Sequence, residues 1–243
     1  MHAPGTVLTA AALAAIVSAK MSWPNACGAT KEQQFRSYGI RAVEGHWKVP
    51  IIAVAENTPW EDSFALDTWV GIDWNSICET SGGFYAGTSV EFESSPGIAH
   101  FWWRFAQGSR NVLEDFAVNY VVEIGDEVYV KTTAWDSKNG AVYFENKTRG
   151  FKRTLNVELG KMCFRSAAWV AEDPHPQGSR WPIPAVPAMI YMYGLKATTK
   201  SNQIYDLFDA KIGQMQAFGK VACYATRETS DTLCLRMADP API

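Results

Sequence analysis

Short runs in which apolar and polar residues alternate fill most of the chain after residue 63. Each run is bounded by Gly, Asn, Asp or Pro, the pattern of half-buried strands separated by turns. The predicted strands cover residues 64–72, 84–92, 98–106, 117–124, 127–135, 141–146, 151–157, 165–172, 189–197 and 220–226. Strands at this spacing indicate an all-β fold in which antiparallel sheets pack as a sandwich.

Tight turns are predicted at Gly125-Asp126, Asn139-Gly140 and Arg149-Gly150. Asn139-Gly140 is the strongest signal, because a two-residue type I′ turn needs positive φ at both positions. Two segments depart from the strand pattern. Residues 174–187 contain five prolines and predict a long surface loop, whereas residues 201–218 predict one helix from the spacing of their apolar side chains.

Composition favours a single domain, since 243 residues at 47% hydrophobic and 19% charged support one large core. The 22 basic and 25 acidic side chains give a net charge of −3. The one basic run, residues 147–153, is too short to follow a nucleic-acid backbone, so nucleic acid is not an expected partner. The ten Trp, nine Tyr and twelve Phe suit pleated sheets.

The N-terminus has the pattern of a secretory signal peptide over residues 1–19. An uncharged apolar stretch at residues 7–17 is followed by Val17-Ser18-Ala19, although the segment before it carries no Lys or Arg. A buried first helix is the alternative. The stretch is shorter than the roughly 20 residues that span a bilayer. We therefore expect a secreted, extracellular monomer with no membrane contact, an arm at 20–35, a domain at 36–237 and a frayed tail at 238–243.

Five cysteines without a C-x-x-C spacing fit two disulfides and one spare thiol in an oxidising compartment. Cys223 and Cys234 are close enough for a hairpin to join them. Cys78 would then pair with Cys163 and leave Cys27 unpaired in the arm, although sequence alone does not establish this pairing. The mature chain's histidines are isolated, so neither a metal nor another cofactor is expected. Asn146 begins the one N-glycosylation sequon.

Common catalytic signatures are missing from the sequence, including G-x-S-x-G, H-E-x-x-H, the P-loop and G-x-G-x-x-G. The adjacent carboxylates Glu61-Asp62 and Glu172-Asp173 do not form working pairs, because neighbours on a strand point to opposite faces.

Several blocks of the chain resemble one family. They are Thr68-Trp-Val-Gly-Ile-Asp73 with the following Cys78, residues 121–130, residues 145–150 and the block Cys163-Phe-Arg-Ser-Ala-Ala-Trp-Val-Ala-Glu-Asp173. Their order and spacing are similar to those of the fungal glutamic peptidases, the eqolisins, over about residues 36–236. The resemblance implies a concanavalin-A-like antiparallel sandwich of two curved sheets with a cleft on the concave sheet. It also implies a Cys78–Cys163 bridge and a closing disulfide between the last two cysteines.

Eqolisins cut peptide bonds at acid pH with a Glu as general base and a Gln that holds the attacking water. Counted along the matching blocks, the Glu position is Ala168 and the Gln position is Gly87, and no glutamine lies between Gln34 and Gln107. A general base is worth about 10²–10⁴ in rate and an oxyanion donor about 10²–10³. Loss of both predicts an inactive member of the family.

A relocated acid is the competing interpretation. Glu172 and Glu91 share faces with Ala168 and Gly87, but four strand residues span about 13 Å. The alternative function is thus an active acid endopeptidase or other hydrolase. Carbohydrate binding has only fold analogy behind it. The preferred prediction is a secreted pseudopeptidase that binds an extracellular protein or peptide, for instance a fungal effector or protease inhibitor. The candidate cleft residues are Trp69, Tyr85, Ser89, Glu91, Trp103, Arg104, Arg180 and Trp181.

Overall fold

The computed structural model describes residues 21–23, 25–33, 39–52, 64–74, 82–92, 97–105, 111–112, 121–174, 189–217 and 220–237. These residues form strands and no helix. The strands are β1 (Met21–Trp23), β2 (Ala26–Glu32), β3 (Ile40–Lys48), β4 (Phe64–Ile72), β5 (Phe84–Phe92), β6 (Ile98–Phe105), β7 (Asn111–Val112), β8 (Glu127–Ala134), β9 (Asn139–Asn146), β10 (Phe151–Glu158), β11 (Ser166–Glu172), β12 (Ile190–Thr199), β13 (Ile204–Tyr205), β14 (Lys211–Ala217), β15 (Lys220–Arg227) and β16 (Leu233–Met237).

The strands follow one hydrogen-bonded path in the order β10-β9-β8-β3-β12-β16-β15-β14-β2-β11-β4-β5-β6-β7. All of these pairings are antiparallel, and β1 adds a parallel pairing to β14. The path folds back on itself into two layers. β3 and β8 of one layer pack against β4, β5 and β11 of the other. The predicted all-β sandwich is confirmed.

Alternation explains the layer that contains β8. Its side chains are buried at every second position, with Val128 and Val130 facing the opposite layer and Tyr129 facing outward. β11 is different, because all seven of its residues are buried. Its layer therefore carries an apolar cluster on each face, and one of these clusters is the core between the layers.

Three sequence predictions of secondary structure are wrong. Residues 121–124 form no strand. Residues 201–218 hold strands β13 and β14 instead of a helix. The turn predicted at Asn139-Gly140 lies earlier in the chain, because both of these residues belong to β9. Asp136 forms the turn by accepting hydrogen bonds from the backbone N–H groups of Lys138 and Asn139.

The segment predicted as an N-terminal arm, residues 20–35, contributes the strands β1 and β2. Residues 26–32 form β2, which lies between β14 and β11 and is buried over its first five residues. Gly28 makes this placement possible, since a Cβ there would overlap the backbone of Trp169 on β11. The predicted signal peptide and the tail at 238–243 lie outside the described residues.

The disulfide framework differs from the predicted one. Cys27 on β2 is bonded to Cys223 on β15, with 5.8 Å between their Cα atoms, and Cys234 is a buried free thiol. The predicted Cys223–Cys234 bond is wrong because Cys223 pairs across the sheet with Met237, while Cys234 pairs with Thr226. Cys223 lies three positions from Thr226, the residue opposite Cys234, and strand side chains an odd number of positions apart point to opposite faces. Cys163 is disulfide-bonded, and its predicted partner Cys78 lies outside the described residues.

Asn146, the predicted glycosylation site, is fully buried. Its amide nitrogen donates hydrogen bonds to Asp126 (2.6 Å) and to the carbonyl of Val121 (3.1 Å), and its amide oxygen accepts one from the backbone of Arg149. A glycan needs this nitrogen to be accessible, so the folded conformation does not fit the prediction. The residue instead holds together the turns on either side of β8 and β9.

Candidate functional site

The side chains of β11, β4, β5 and β6 that point away from the core between the layers form one surface, which we call the aromatic face. Cross-strand pairing arranges this surface in three rows of four residues. The first row is Ala168, Gly71, Tyr85 and Arg104, the second is Val170, Trp69, Gly87 and Trp102, and the third is Glu172, Asp67, Ser89 and His100. Both predicted dyad positions and five of the predicted cleft residues therefore share a face or its edge.

Ala168 is the β11 residue of the first row and is 0% exposed. It belongs to a buried cluster with the aromatic rings of Trp23, Trp69, Tyr85 and Trp102. The rings contact one another in a chain: Trp69 is 4.9 Å from Tyr85 and 5.4 Å from Trp74, which is 4.5 Å from Trp23. The small side chain at position 168 is covered by aromatic rings rather than exposed to solvent.

Gly87 is a packing position. A Cβ built on it would overlap the carbonyl oxygen of Thr68 and lie 2.7 Å from the Cα of Trp69. A glutamine side chain therefore does not fit at position 87. Residues 87 and 168 are not on neighbouring strands, because β4 lies between β11 and β5. Two strand spacings and a two-residue offset separate their Cα atoms by about 12 Å.

Tyr85, not Gly87, lies in the same row as Ala168. Its ring packs on Gly71, where a Cβ would collide with it. Burial raises the pKa of the Tyr85 hydroxyl, as does the nearby carboxylate of Glu172, while Arg104 opposes the shift. Tyr85 therefore stays protonated at acid and neutral pH and does not act as a base.

Glu172 is one of two acidic side chains in the third row, the other being Asp67, and is 8% exposed. Its Oε2 accepts a hydrogen bond from Trp69 Nε1 at 2.8 Å and lies 3.5 Å from Arg104 Nη2, and its Oε1 accepts one from Asn25 Nδ2 at 3.2 Å. Three donors thus surround the carboxylate. Arg104 lies over the rings of Tyr85 and Trp102 at 5.4 and 5.7 Å, so the ion pair and the aromatic cluster form one network.

The remaining residues of the third row are Asp67, Ser89 and His100. Asp67 is buried and pairs directly with Glu172 across β4 and β11. His100 lies 3.5 Å from Glu91, a half-exposed side chain at the edge of the face. The sequence singled out Glu172, Ser89 and Glu91 but missed Asp67 and His100, although their parity on β4 and β6 places them here.

Asp73 fixes the start of β11. Its carboxylate accepts hydrogen bonds from four successive backbone N–H groups, those of residues 163–166, at 2.6–3.3 Å. Burial raises the pKa of Asp73, and the same four donors oppose the shift. These bonds set the register that brings Ala168 opposite Gly71.

One predicted cleft residue lies elsewhere. Trp103 pairs with Ala86 and packs against the core between the layers. Trp103 and Arg104 are adjacent on β6 and cannot share a face. Trp102, not Trp103, lies on the aromatic face. Alternation along His100-Phe-Trp-Trp-Arg-Phe105 predicts this, because Trp102 and Arg104 are two positions apart. Arg180 and Trp181 lie outside the described residues.

The described residues contain no group of three or more His, Cys, Asp or Glu side chains placed to hold a metal ion. No helix long and apolar enough to cross a bilayer occurs among them either.

Comparison with known proteins places these observations in context. The model of the peptidase A4 family matches residues 24–236. A crystal structure of scytalido-glutamic peptidase with a transition state analog inhibitor aligns with a TM-score of 0.71 at 18% identity, covering 88% of this chain and 98% of that one. SCP-B, an eqolisin in a complex with the tripeptide Ala-Ile-His, aligns with a TM-score of 0.67 at 18% identity and the same coverages.

Aspergilloglutamic peptidase from Aspergillus niger aligns with a TM-score of 0.62 at 20% identity, covering 72% of this chain and 99% of that one. At these identities the structural matches establish the fold alone. A search of curated proteins gives no match.

Proposed function

Since the chain belongs to the peptidase A4 (eqolisin) family, we propose that it is a member without peptidase activity, which uses the aromatic face to bind an extracellular peptide or protein. The single observation that carries this proposal is the environment of Ala168. The resemblance assigns the general base to this position. Here it carries a methyl group, fully buried among aromatic rings.

The neighbouring groups offer no ready replacement for the two catalytic side chains. Tyr85, in the same row as Ala168, is protonated at acid and neutral pH, and burial raises the pKa of its hydroxyl further. Gly87 has no room for a side chain. A glutamic-type mechanism needs a carboxylate and an amide that share one water, and neither is present in the first two rows.

Glu172 is the residue on which an active enzyme would depend, and its contacts argue for a structural role. A general base must reach a water molecule, whereas this carboxylate already accepts hydrogen bonds from Trp69 and Asn25 and lies beside Arg104. Its distance from Ala168, about 13 Å along the strand, further separates it from the family's reaction centre.

Peptide binding as the retained function has support from the fold. The related SCP-B structure holds a tripeptide, and the partly exposed side chains of Arg104 and Glu91 lie on the aromatic face and at its edge, within reach of a ligand. The Cys27–Cys223 disulfide is compatible with an extracellular protein. Secretion of a monomer and a role as effector or protease inhibitor belong to the same proposal.

An assay with denatured protein substrate at about pH 2 to 5, where carboxyl groups titrate, tests the absence of activity. The wild type and the variant Glu172→Gln should both leave the substrate intact. Cleavage by the wild type at rates typical of enzymes would overturn the proposal. If Glu172→Gln then abolished that cleavage, the relocated acid would be the correct interpretation.

A further inference from the structure

The short first strand attaches to the sheet differently from every other described strand. β1 pairs in parallel with Gly213–Met215 of β14, next to the point where β2 pairs antiparallel with Lys211–Gly213. β1 therefore occupies a section of strand edge that β2 leaves available. It has three residues and one strand partner.

One side chain anchors this strand. Trp23 is 3% exposed and lies against Gly213, where a Cβ would collide with its ring. Its ring meets Trp74 edge to face at 4.5 Å and belongs to the cluster that covers Ala168. Trp23 thus completes the aromatic cluster from a different part of the chain.

The site of Trp23 satisfies its ring but not its indole N–H group. Its Nε1 is buried and has no hydrogen-bond partner within the described structure. Buried indole N–H groups usually have a partner, and an unpaired one disfavours the bound state. By contrast, Trp69 of the same cluster donates to Glu172 at 2.8 Å. A ring held by apolar contacts and a three-residue pairing is a candidate for exchange.

An extended segment that adds to a strand edge and inserts one side chain into a pocket is a known mode of peptide recognition. We propose that residues 21–23 occupy a peptide-binding groove of their own chain, and that the groove accepts an extended peptide carrying tryptophan when β1 is displaced. This inference rests on the proposed binding function and names its ligand class. The tethered segment competes at a local concentration in the millimolar range, so a free peptide binds the wild type weakly.

The test uses a fluorescent peptide of sequence Met-Ser-Trp-Pro-Asn, blocked at both ends, and a second peptide with alanine in place of tryptophan. The full chain with Trp23→Ala lacks the tethered anchor and should bind the tryptophan peptide at least about tenfold more tightly than the wild type. The matched control Trp135→Ala, which removes an exposed ring far along the chain, should bind like the wild type. Equal affinity of Trp23→Ala and wild type, or equal binding of the alanine peptide, would overturn the proposal.

Hydrogen exchange of the wild type keeps the proposal testable if Trp23→Ala fails to fold. Millimolar tryptophan peptide should speed exchange at residues 21–23 and leave β2 protected, and unchanged exchange at residues 21–23 would count against displacement. Mass analysis of the peptide after incubation separates the two proposals, since a cut peptide would refute the lack of peptidase activity without bearing on displacement.

Discussion

Two small residues on the aromatic face are small for different reasons. Gly87 lacks a side chain because β4 approaches it closely, with the Trp69 Cα 2.7 Å from the place of a Cβ. Ala168 has a Cβ, and the surrounding Trp and Tyr rings leave it no exposed surface. Restoring a glutamine at 87 therefore conflicts with the backbone, whereas a glutamate at 168 conflicts with side chains that have other positions to adopt.

Ala168→Glu should lower the free energy of unfolding by about 3 kcal/mol or more at neutral pH, because it inserts an uncompensated carboxylate into a packed apolar cluster. Urea unfolding measures this change. Thr154→Glu, at an exposed position of β10, is the matched control and should change stability by less than about 0.5 kcal/mol. An Ala168→Glu protein as stable as the wild type would show that the face is open.

His46 lies between the rings of Tyr129 and Tyr193, at 4.5 and 5.2 Å, on the outer surface of the other layer. Burial lowers the pKa of His46, and Lys147 adds to the shift, while Glu127, Glu44 and Glu145 oppose it. The unfolded chain thus takes up this proton near pH 6.5, before the folded chain does. The contribution of neutral His46 to the free energy of unfolding is complete above that pH and is lost as the pH falls through the folded-state pKa of His46.

His46→Phe keeps a ring in the stack and removes the titration. The variant should lose less stability than the wild type between about pH 7 and about pH 5. Denaturant unfolding at several pH values measures the two slopes. Identical slopes would mean that His46 does not contribute to the pH dependence.

At the level of strands, alternation in the sequence predicted most elements well. The bounds of β4 and β5 are the predicted ones, 64–72 and 84–92. The helix predicted at 201–218 failed because Leu207 and Met215 are buried at a spacing that a bend followed by a strand also produces. β2 was missed because Ala26–Glu32 is rich in small residues, and only its neighbours β14 and β11 make it a strand.

Alternation along the strands also predicted part of the candidate site. It indicates which side chains of β5, β6 and β11 share a face with Tyr85, Arg104 and Glu172, respectively. Which strands are neighbours, and that Trp23 reaches this face, depend on contacts between residues far apart in the chain, and these leave no local signal.

β10 ends the strand path and has one strand partner within the described residues. Its exposed side chains include Lys152 and Arg153, charges of the kind that keep an edge from pairing with another molecule. The double variant Lys152→Thr with Arg153→Val should therefore aggregate at least about twofold faster in light scattering at equal concentration. Lys138→Thr with Lys161→Val removes the same charge from exposed positions outside the strands and should behave like the wild type. Equal aggregation of both double variants would contradict the role of the edge charges.

For the whole molecule, the Cys27–Cys223 bond closes a loop of 196 residues. Chain-entropy reasoning gives such a loop about 5 kcal/mol of stabilisation. Cys27→Ala with Cys223→Ala should lower the free energy of unfolding by up to that amount, and Cys234→Ala, which removes a free thiol, should cost far less.

Peptide mapping without reduction checks the framework. It should recover Cys27 joined to Cys223, and Cys234 should react with a thiol reagent only after unfolding, since it is buried. A recovered Cys223–Cys234 peptide would overturn the register of β15 and β16.

The place of β2 in the strand order has a consequence for synthesis. β2 is made early, directly after β1, but it lies between β11 and β14, so one of its two edges stays unpaired until residues 211–217 have left the ribosome. The disulfide partner of Cys27 follows still later, at position 223. The sheet therefore closes only after almost the whole chain has been released, and until then the unfinished β2 edge is exposed to pairing with another nascent chain.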